Sequence, residues 1–290
     1  METTSRTDRA RAKVNLTLRV LGRRADGFHE LDSLVAFADI SDRVEFCPGR
    51  TQSVSVTGTF GAAIVGENLA SRALALLALL APQLELGSIL IEKVLPIAAG
   101  LGGGSADAAA TLRLIRRANE GRSDGVDWRA LAAQLGSDVP VCLVDAACRM
   151  TGRGETLDAV DGLVDLPAVL VNPQVRVPSD KTRQVFKILA AGPLVTEPER
   201  MPPVPRDMAG WLDRIGNGCN DLEVPAAVVV PDIGGVLAAL RAHPLTRLAR
   251  LSGAGPTCFG LTASAADAAT LAADLGRAHP TWWVRATVLR

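Results

Sequence analysis

Four glycines fall within five residues, at Gly100, Gly102, Gly103 and Gly104, and Ser105 follows them at the head of an alanine-rich run. A strand-like stretch, 88–95, leads into them. Glycine lets a backbone approach a ligand closely and adopt positive φ. A helix start collects unpaired N–H groups and the positive end of the helix dipole. Together these features suit a phosphate, and Ser105 would add a hydroxyl for the phosphate or its metal. The run lacks the Gly-Lys-Ser/Thr ending of a Walker A loop. It comes closer to the dinucleotide fingerprint G-x-G-x-x-G, with Glu120 downstream as a ribose-binding acid, but serine occupies the third glycine position. Taken alone, the run reads equally as a phosphate loop or as a glycine-rich turn into a helix.

Other residues have chemistry to offer. The chain uses four lysines against 27 arginines. Where arginine is habitual, a lysine marks a need for a compact ammonium, and Lys13 is the first candidate; the plainer reading is a solvated strand residue. Asn15, two residues on, shares its strand face. Asp138 precedes Val139-Pro140 and reads, on its own, as a turn or cap residue. Phe28 and His29 follow a Gly27 turn; on their own they read as a core phenyl and a surface imidazole. Gly253, Gly255 and Thr257 form a second glycine-containing loop. The five cysteines are scattered without a C-x-x-C, and there are three histidines. A Cys/His zinc site is therefore not expected, and an odd cysteine count fits free thiols in a reducing cytoplasm.

These groups need a scaffold. Residues 13–20 alternate, with Val14, Leu16, Leu18 and Val20 on one face, as in a half-buried strand. Further strands are expected at 43–46, 53–57, 168–171, 246–251, 257–261 and 282–289. Asn68 is placed to cap a helix that buries Leu69, Ala73, Leu76, Leu77 and Leu80. More helices are expected at 105–119, 128–135, 207–215, 232–242 and 264–278. The proline-rich segment 192–206 reads as an exposed loop, and a boundary falls near 160–167. The mixture is α+β in its first half, and helices and strands in the second half suit a small α/β sandwich.

The motif Pro96-x-x-x-Gly-Leu-Gly-Gly-Gly-Ser resembles the phosphate loop of the GHMP kinases. The blocks 12–18, 22–31, 135–140, 220–223, 251–259 and 282–287 resemble, in order, those of the branch that phosphorylates 4-diphosphocytidyl-2-C-methyl-D-erythritol on its 2-hydroxyl, a step of the non-mevalonate route to isoprenoid precursors. That resemblance implies an α+β, two-domain GHMP kinase fold. It has an N-terminal S5-domain-2-like domain (1–162) and a C-terminal ferredoxin-like α/β sandwich (163–290), with the active site in the cleft between them. It implies ATP as co-substrate with Mg²⁺. Pro96, Gly100, Leu101, Gly102, Gly103, Gly104, Ser105 and Ala106 would bind ATP, with Asn68 and Lys93 near the adenine and Ser105 as the Mg²⁺ ligand. Lys13 becomes the catalytic cation and Asp138 the base. A carboxylate with a pKa near ~3.9 is a poor match to an alcohol, so Asp138 would need help from Lys13 and the γ-phosphate. Asn15, Phe28, His29, Thr182 and Phe186 would line the substrate side, and Gly253, Gly255 and Thr257 would lie beside the phosphates. Two departures stand out. The family's usual Tyr-His pair is Phe28-His29 here, in a chain without tyrosine, and Ala106 replaces the second serine of the loop.

The formal net charge is zero, so electrostatics point to no nucleic-acid or membrane partner. No apolar leader follows the basic start, and the apolar stretch 73–81 is too short to span a bilayer. A cytoplasmic enzyme, a monomer or weak homodimer, is expected, with ATP and a cytidine-diphosphate sugar alcohol as its partners. The rivals are another small-molecule kinase of the same family, acting on mevalonate or homoserine, an NAD-linked oxidoreductase, and a catalytically silent nucleotide-binding protein.

Overall fold

The computed structural model describes residues 6–49, 51–64, 66–194 and 203–290. In chain order the strands and helices are β1 (Arg6–Asn15), β2 (Arg19–Arg23), β3 (His29–Cys47), β4 (Ser53–Thr57), α1 (Leu69–Leu80), β5 (Ser88–Glu92), α2 (Gly103–Ala118), α3 (Trp128–Leu135) and α4 (Val139–Val144). Then follow β6 (Cys148–Gly152), β7 (Thr156–Ala159), β8 (Leu166–Asn172), α5 (Lys181–Leu189), α6 (Met208–Gly216), α7 (Glu223–Val229), α8 (Asp232–Ala242), β9 (Leu248–Leu251), β10 (Cys258–Leu261), α9 (Ala265–Ala278) and β11 (Trp283–Leu289). The arrangement is α+β, as expected.

The chain forms two compact units that exchange segments. Among the described residues, the first comprises those within 6–12, 40–97 and 102–145, and the second those within 13–39, 98–101 and 146–290.

In the first unit β4 runs parallel to β5, and β5 pairs antiparallel with the end of β3, Phe46 opposite Ile89. Helices α1 to α4 pack on one another. Helix α2 is buried on most of its circumference, with Ala108, Ala109, Ala110, Leu112, Leu114 and Ile115 all solvent-free; a helix apolar on nearly every side belongs in a core. Asn68 starts α1 in a capping box with Ser71, a device contributing about 1 kcal/mol. The buried stripe of α1 is Ala70, Ala73, Leu74 and Leu77. It is rotated from the expected one, and Leu80 is exposed.

In the second unit β8 lies between β10 and β11, all antiparallel, and β9 pairs with β10. The start of β3 pairs with β2 and with β6, and β6 pairs with β7. Helix α8 packs on β9 and β10, α9 on β8 and β11, and α5 on α7. Val169, Val171, Val236, Leu240, Leu271 and Cys258 belong to the shared apolar core. Burying each large aliphatic side chain stabilises by roughly 1.5–3 kcal/mol.

The strand expected over 13–20 is interrupted. β1 ends at Asn15 and β2 begins at Arg19, while Leu18 bridges to Asn220. Neither face is solvated at its start, since Lys13 and Asn15 are buried beside Val14 and Leu16. Most of the expected proline-rich loop, residues 195–202, lies outside the described residues.

Candidate active site

The glycine run serves each unit differently. In the first unit Gly102, at φ 63°, caps α2, and no side chain occupies the cap or places an acid in the first turn. The start of a 16-residue helix is thus left with its N–H donors and dipole for an anion. Gly104 is exposed and Ser105 half-buried in that first turn. Ala106 is not placed the same way. Its side chain is buried, and its N–H is spent on the Gly102 carbonyl. Pro96 is also buried.

A charge cluster lies behind this helix start. The Lys93 ammonium donates to Asp42 Oδ2 (2.5 Å) and Asp107 Oδ2 (2.6 Å), all three side chains being buried. A Cβ on Gly103 would sit 3.2 Å from Lys93 Nζ, so glycine allows the helix start to rest on the ammonium. Asp42 Oδ1 also accepts the N–H groups of Val94 and Leu95. Burial opposes the charge on Lys93, but the carboxylates of Asp107 and Asp42 outweigh it and hold Lys93 above its ordinary value. Asp107 moves the other way: burial, with the Asp42 charge, pushes it up to about 7 against the pull of Lys93. The ammonium serves both acids, and Asp107 Oδ1 is left buried without a hydrogen-bond partner.

Asn68 spends its carboxamide oxygen on the α1 cap, accepting from Ser71 N at 3.0 Å. Asp138 stands at the N-cap of α4 yet makes no side-chain cap bond. The turn-or-cap reading thus holds for its place in the chain and not for a bond from its carboxylate.

The second unit holds the other candidates. Lys13 is buried and donates to Asn15 Oδ1 (2.9 Å), Asn15 Nδ2 donates to Ser33 Oγ (2.8 Å), and Ser33 Oγ donates to the Thr17 carbonyl. The solvated-strand reading of Lys13 is thereby overturned. Asn15 N donates to Ser252 Oγ, whose hydroxyl donates to the Gly100 carbonyl at 3.0 Å. Gly100, at φ 79°, lies so close to the second glycine loop that a Cβ would meet the Ser252 carbonyl at 2.5 Å. That loop, 252–257, joins β9 to β10, with Gly253 and Gly255 in the left-handed region. Asn220 Nδ2 holds it by donating to the carbonyls of Leu251 and Gly253. The Thr257 hydroxyl is fully buried and accepts from Asn172 Nδ2 (2.9 Å). The Lys13 N–H donates to the Leu101 carbonyl, and the Leu101 side chain is core.

An aromatic group completes the second unit. His29 stacks on Phe186 with ring centroids 4.6 Å apart. Burial, then the Arg23 charge, holds the imidazole below its usual value, favouring the neutral ring. Phe28 is 52% exposed, with the Arg153 guanidinium 4.9 Å from its ring centre. It is not the core residue its type suggested. Thr182 is exposed on α5, one turn before Phe186.

Sequence reasoning missed Asp42 and Lys181, and gave no role to Asn172, Asn220, Ser252 or Arg153. The scarcity that singled out Lys13 applied equally to Lys181. Asn220 stood within a recognised block but offered no local sign of its two carbonyl partners. Glu120, weighed as a ribose-binding acid, lies exposed in the turn after α2.

Sequence comparison matches the GHMP kinases N terminal domain over residues 68–146 and the GHMP kinases C terminal domain over residues 206–281. A 4-diphosphocytidyl-2-C-methyl-D-erythritol kinase of Rhodopseudomonas palustris (strain HaA2) is 48% identical, covering 99% of each chain. One of Bradyrhizobium sp. (strain BTAi1 / ATCC BAA-1182) is 45% identical over 97% of this chain and 96% of its own. Among solved structures, a crystal structure of 4-(cytidine 5'-diphospho)-2C-methyl-D-erythritol kinase superposes with a TM-score of 0.74 at 34% identity, covering 98% of this chain and 99% of its own. Homoserine kinase from Cytophaga hutchinsonii shares the fold, with a TM-score of 0.71 at 17% identity over 99% of this chain and 95% of its own. An uncapped glycine-run helix, a buried lysine and full-length identity near one half lead to one conclusion: the chain belongs to the GHMP kinases, in the group of the 4-diphosphocytidyl-2-C-methyl-D-erythritol kinases.

Proposed function

We propose that the protein transfers the γ-phosphoryl group of ATP to the 2-hydroxyl of 4-diphosphocytidyl-2-C-methyl-D-erythritol. The observation that carries this reading is the start of α2, opened by glycines and left without a side-chain cap or an acid. Phosphoryl transfer asks a protein mainly for positioning and charge stabilisation. In this reading the N–H groups from Gly103 to Ser105 hold the phosphates, and Gly100, Gly253 and Gly255 let backbone approach them. Lys13, oriented by Asn15, faces the charge that develops on the transferred group. Asp138 orients the substrate hydroxyl and receives its proton. Phe28 supplies a base-stacking ring, and neutral His29, fixed against Phe186, offers ring nitrogens to the cytosine edge. Thr182 lies on the same side, while Asn68 and Lys93 support the adenine end through α1 and the buried cluster.

Mg²⁺ fits this donor set. Among the described residues no group of three or more His, Cys, Asp or Glu side chains could hold a metal. Mg²⁺ does not need one, since it keeps several waters and binds through substrate phosphates with one or two protein oxygens. Ser105 Oγ, half-buried in the first turn of α2, is the oxygen this chain would offer. The ion would neutralise phosphate charge during transfer.

We place the division between the family's two domains at 162/163, between the matched segments, and the enzyme in the cytoplasm as a monomer or weak homodimer. Among the described residues no helix is long and apolar enough to cross a membrane.

The test is ³¹P NMR of the purified protein with Mg-ATP and the cytidine substrate, beside parallel samples holding mevalonate or homoserine. A new phosphomonoester resonance and ADP with the cytidine substrate alone are expected. No transfer to it by folded, ATP-binding protein would overturn the assignment, and turnover of another alcohol would move the chain to a different branch of the family.

A further inference from the structure

The second unit contains a buried cation that the proposed mechanism does not use. Lys181, the first residue of α5, is 5% exposed. Its ammonium donates to the Ala98 carbonyl (2.9 Å) and to the Gly255 carbonyl. Both partners are neutral, and burial without a compensating charge pushes the ammonium down to about 8. A buried unpaired cation is costly, so its position calls for a reason.

The two carbonyls belong to segments whose conformations are not locally favoured. Ala98 has φ 53°, in the left-handed region that side-chain-bearing residues avoid. Gly100, Gly253 and Gly255 are left-handed as well. Two further ties join the segments: Thr257 N donates to the Ala99 carbonyl (3.0 Å) and Ser252 Oγ to the Gly100 carbonyl (3.0 Å). Those ties are made by the segments themselves. Lys181 comes from a third element and brings the only charge among them. It gives the Ala98 and Gly255 carbonyls one shared, charged donor.

We propose that Lys181 is a positioning residue for nucleotide binding. It fixes residues 98–101, the lead-in to the glycine run, against loop 252–257, and so sets the affinity for ATP without touching the reacting atoms. The proposal rests on reading residues 100–105 as a phosphate loop.

The test compares Lys181→Met and Lys181→Arg with the unaltered protein. Calorimetric titration with Mg-ATP, without the second substrate, should show binding about ten- to a hundredfold weaker for Lys181→Met, the range expected for losing charge-assisted hydrogen bonds. KM for ATP should rise in step, while KM for the cytidine substrate stays within about twofold of its starting value. Amide hydrogen exchange at 98–101 and 252–257 should quicken in the Met variant and less so in the Arg variant. In Lys181→Ala, propylammonium should restore part of the ATP affinity where tetramethylammonium at equal ionic strength does not. That rescue keeps the question open to test if the Met variant folds poorly. Unchanged ATP affinity in folded Lys181→Met, or equal losses for both substrates, would overturn the proposal. Unaltered protein that fails to bind Mg-ATP would instead overturn the kinase reading, and the exchange comparison would still show whether Lys181 ties the two segments.

Discussion

Replacing Lys93 with Met should weaken the first unit more than any exposed ion pair could, with a characteristic pH dependence. The ammonium bonds Asp42 and Asp107 at 2.5 and 2.6 Å with all three side chains buried. Removing one partner of a buried ionic group costs about 3–5 kcal/mol, because the remaining charges stay uncompensated. Asp42 retains the N–H groups of Val94 and Leu95. Asp107 retains little, since its Oδ1 is already buried without a hydrogen-bond partner. The penalty therefore falls on Asp107, which escapes it by taking up a proton. Burial and the Asp42 charge already push Asp107 up to about 7, and losing Lys93 raises it further. A carboxyl raised on folding binds more protons in the native than in the unfolded state. Stability then falls as pH rises from its unfolded value through its folded one. The loss should approach about 3 kcal/mol or more at pH 8 and be smaller by roughly 1–2 kcal/mol at pH 6, at about 1.36 kcal/mol for each tenfold change in proton concentration. Urea denaturation of both proteins at the two pH values, followed by circular dichroism, measures it. Lys93→Met/Asp107→Leu should regain part of the loss, because it also removes the carboxyl left with the fewest partners while Asp42 keeps its two N–H donors. A loss below about 1 kcal/mol at pH 8, a larger loss at pH 6, or no recovery in the double variant would refute the reasoning.

Asp138→Asn should lower kcat by roughly 10²–10⁴-fold, the usual worth of a positioned acid or base, with a near-normal melting temperature; near-normal turnover in folded protein would remove Asp138 from the mechanism. Phe28→Ala should raise KM for the cytidine substrate by about ten- to a hundredfold, from a stacking loss of about 1–3 kcal/mol, and leave KM for ATP unchanged. Phe28→Tyr should keep the stacking and bind at least as well in the same steady-state assay. Asn220→Ala removes the donors to Leu251 and Gly253 and the acceptor for Leu222 N. It should cost about 2–4 kcal/mol, seen as a thermal midpoint lower by roughly 5–10 °C.

Local chemistry made some of the structure legible. The run of alanines and leucines after Ser105 foretold α2, Asn68 foretold the start of α1, and the apolar block at 168–171 foretold β8, because each is specified by its own neighbours. The alternation at 13–20 misled. Period-two patterning separates two faces but does not say that the polar one meets water, and here Lys13 and Asn15 are buried through the bonds among Lys13, Asn15 and Ser33. Helices α5 and α7 gave weak signals, being short and each set by packing on the other. Phe28 failed as a core residue because a single aromatic after a tight turn carries no periodicity to place it.

The candidate site was legible where the chain spends a rare residue and hidden where that residue needs a partner. Three of the four lysines, Lys13, Lys93 and Lys181, are at most 5% exposed, in a chain that otherwise chooses arginine. A compact ammonium fits between converging oxygens where a planar guanidinium would not. The oxygens that accept from these three lysines include the Asn15 carboxamide, the carboxylates of Asp42 and Asp107, and the carbonyls of Ala98 and Gly255. The scarcity marking these lysines is a property of composition and could be read at once. Their partners, 2 to 83 residues away along the chain, belong to the fold. Lys93 is held by two acids and Lys181 by none, so the same residue type anchors the helix start in one unit and ties two glycine segments in the other. Variants of the two should therefore separate cleanly, stability failing first at Lys93 and nucleotide affinity at Lys181.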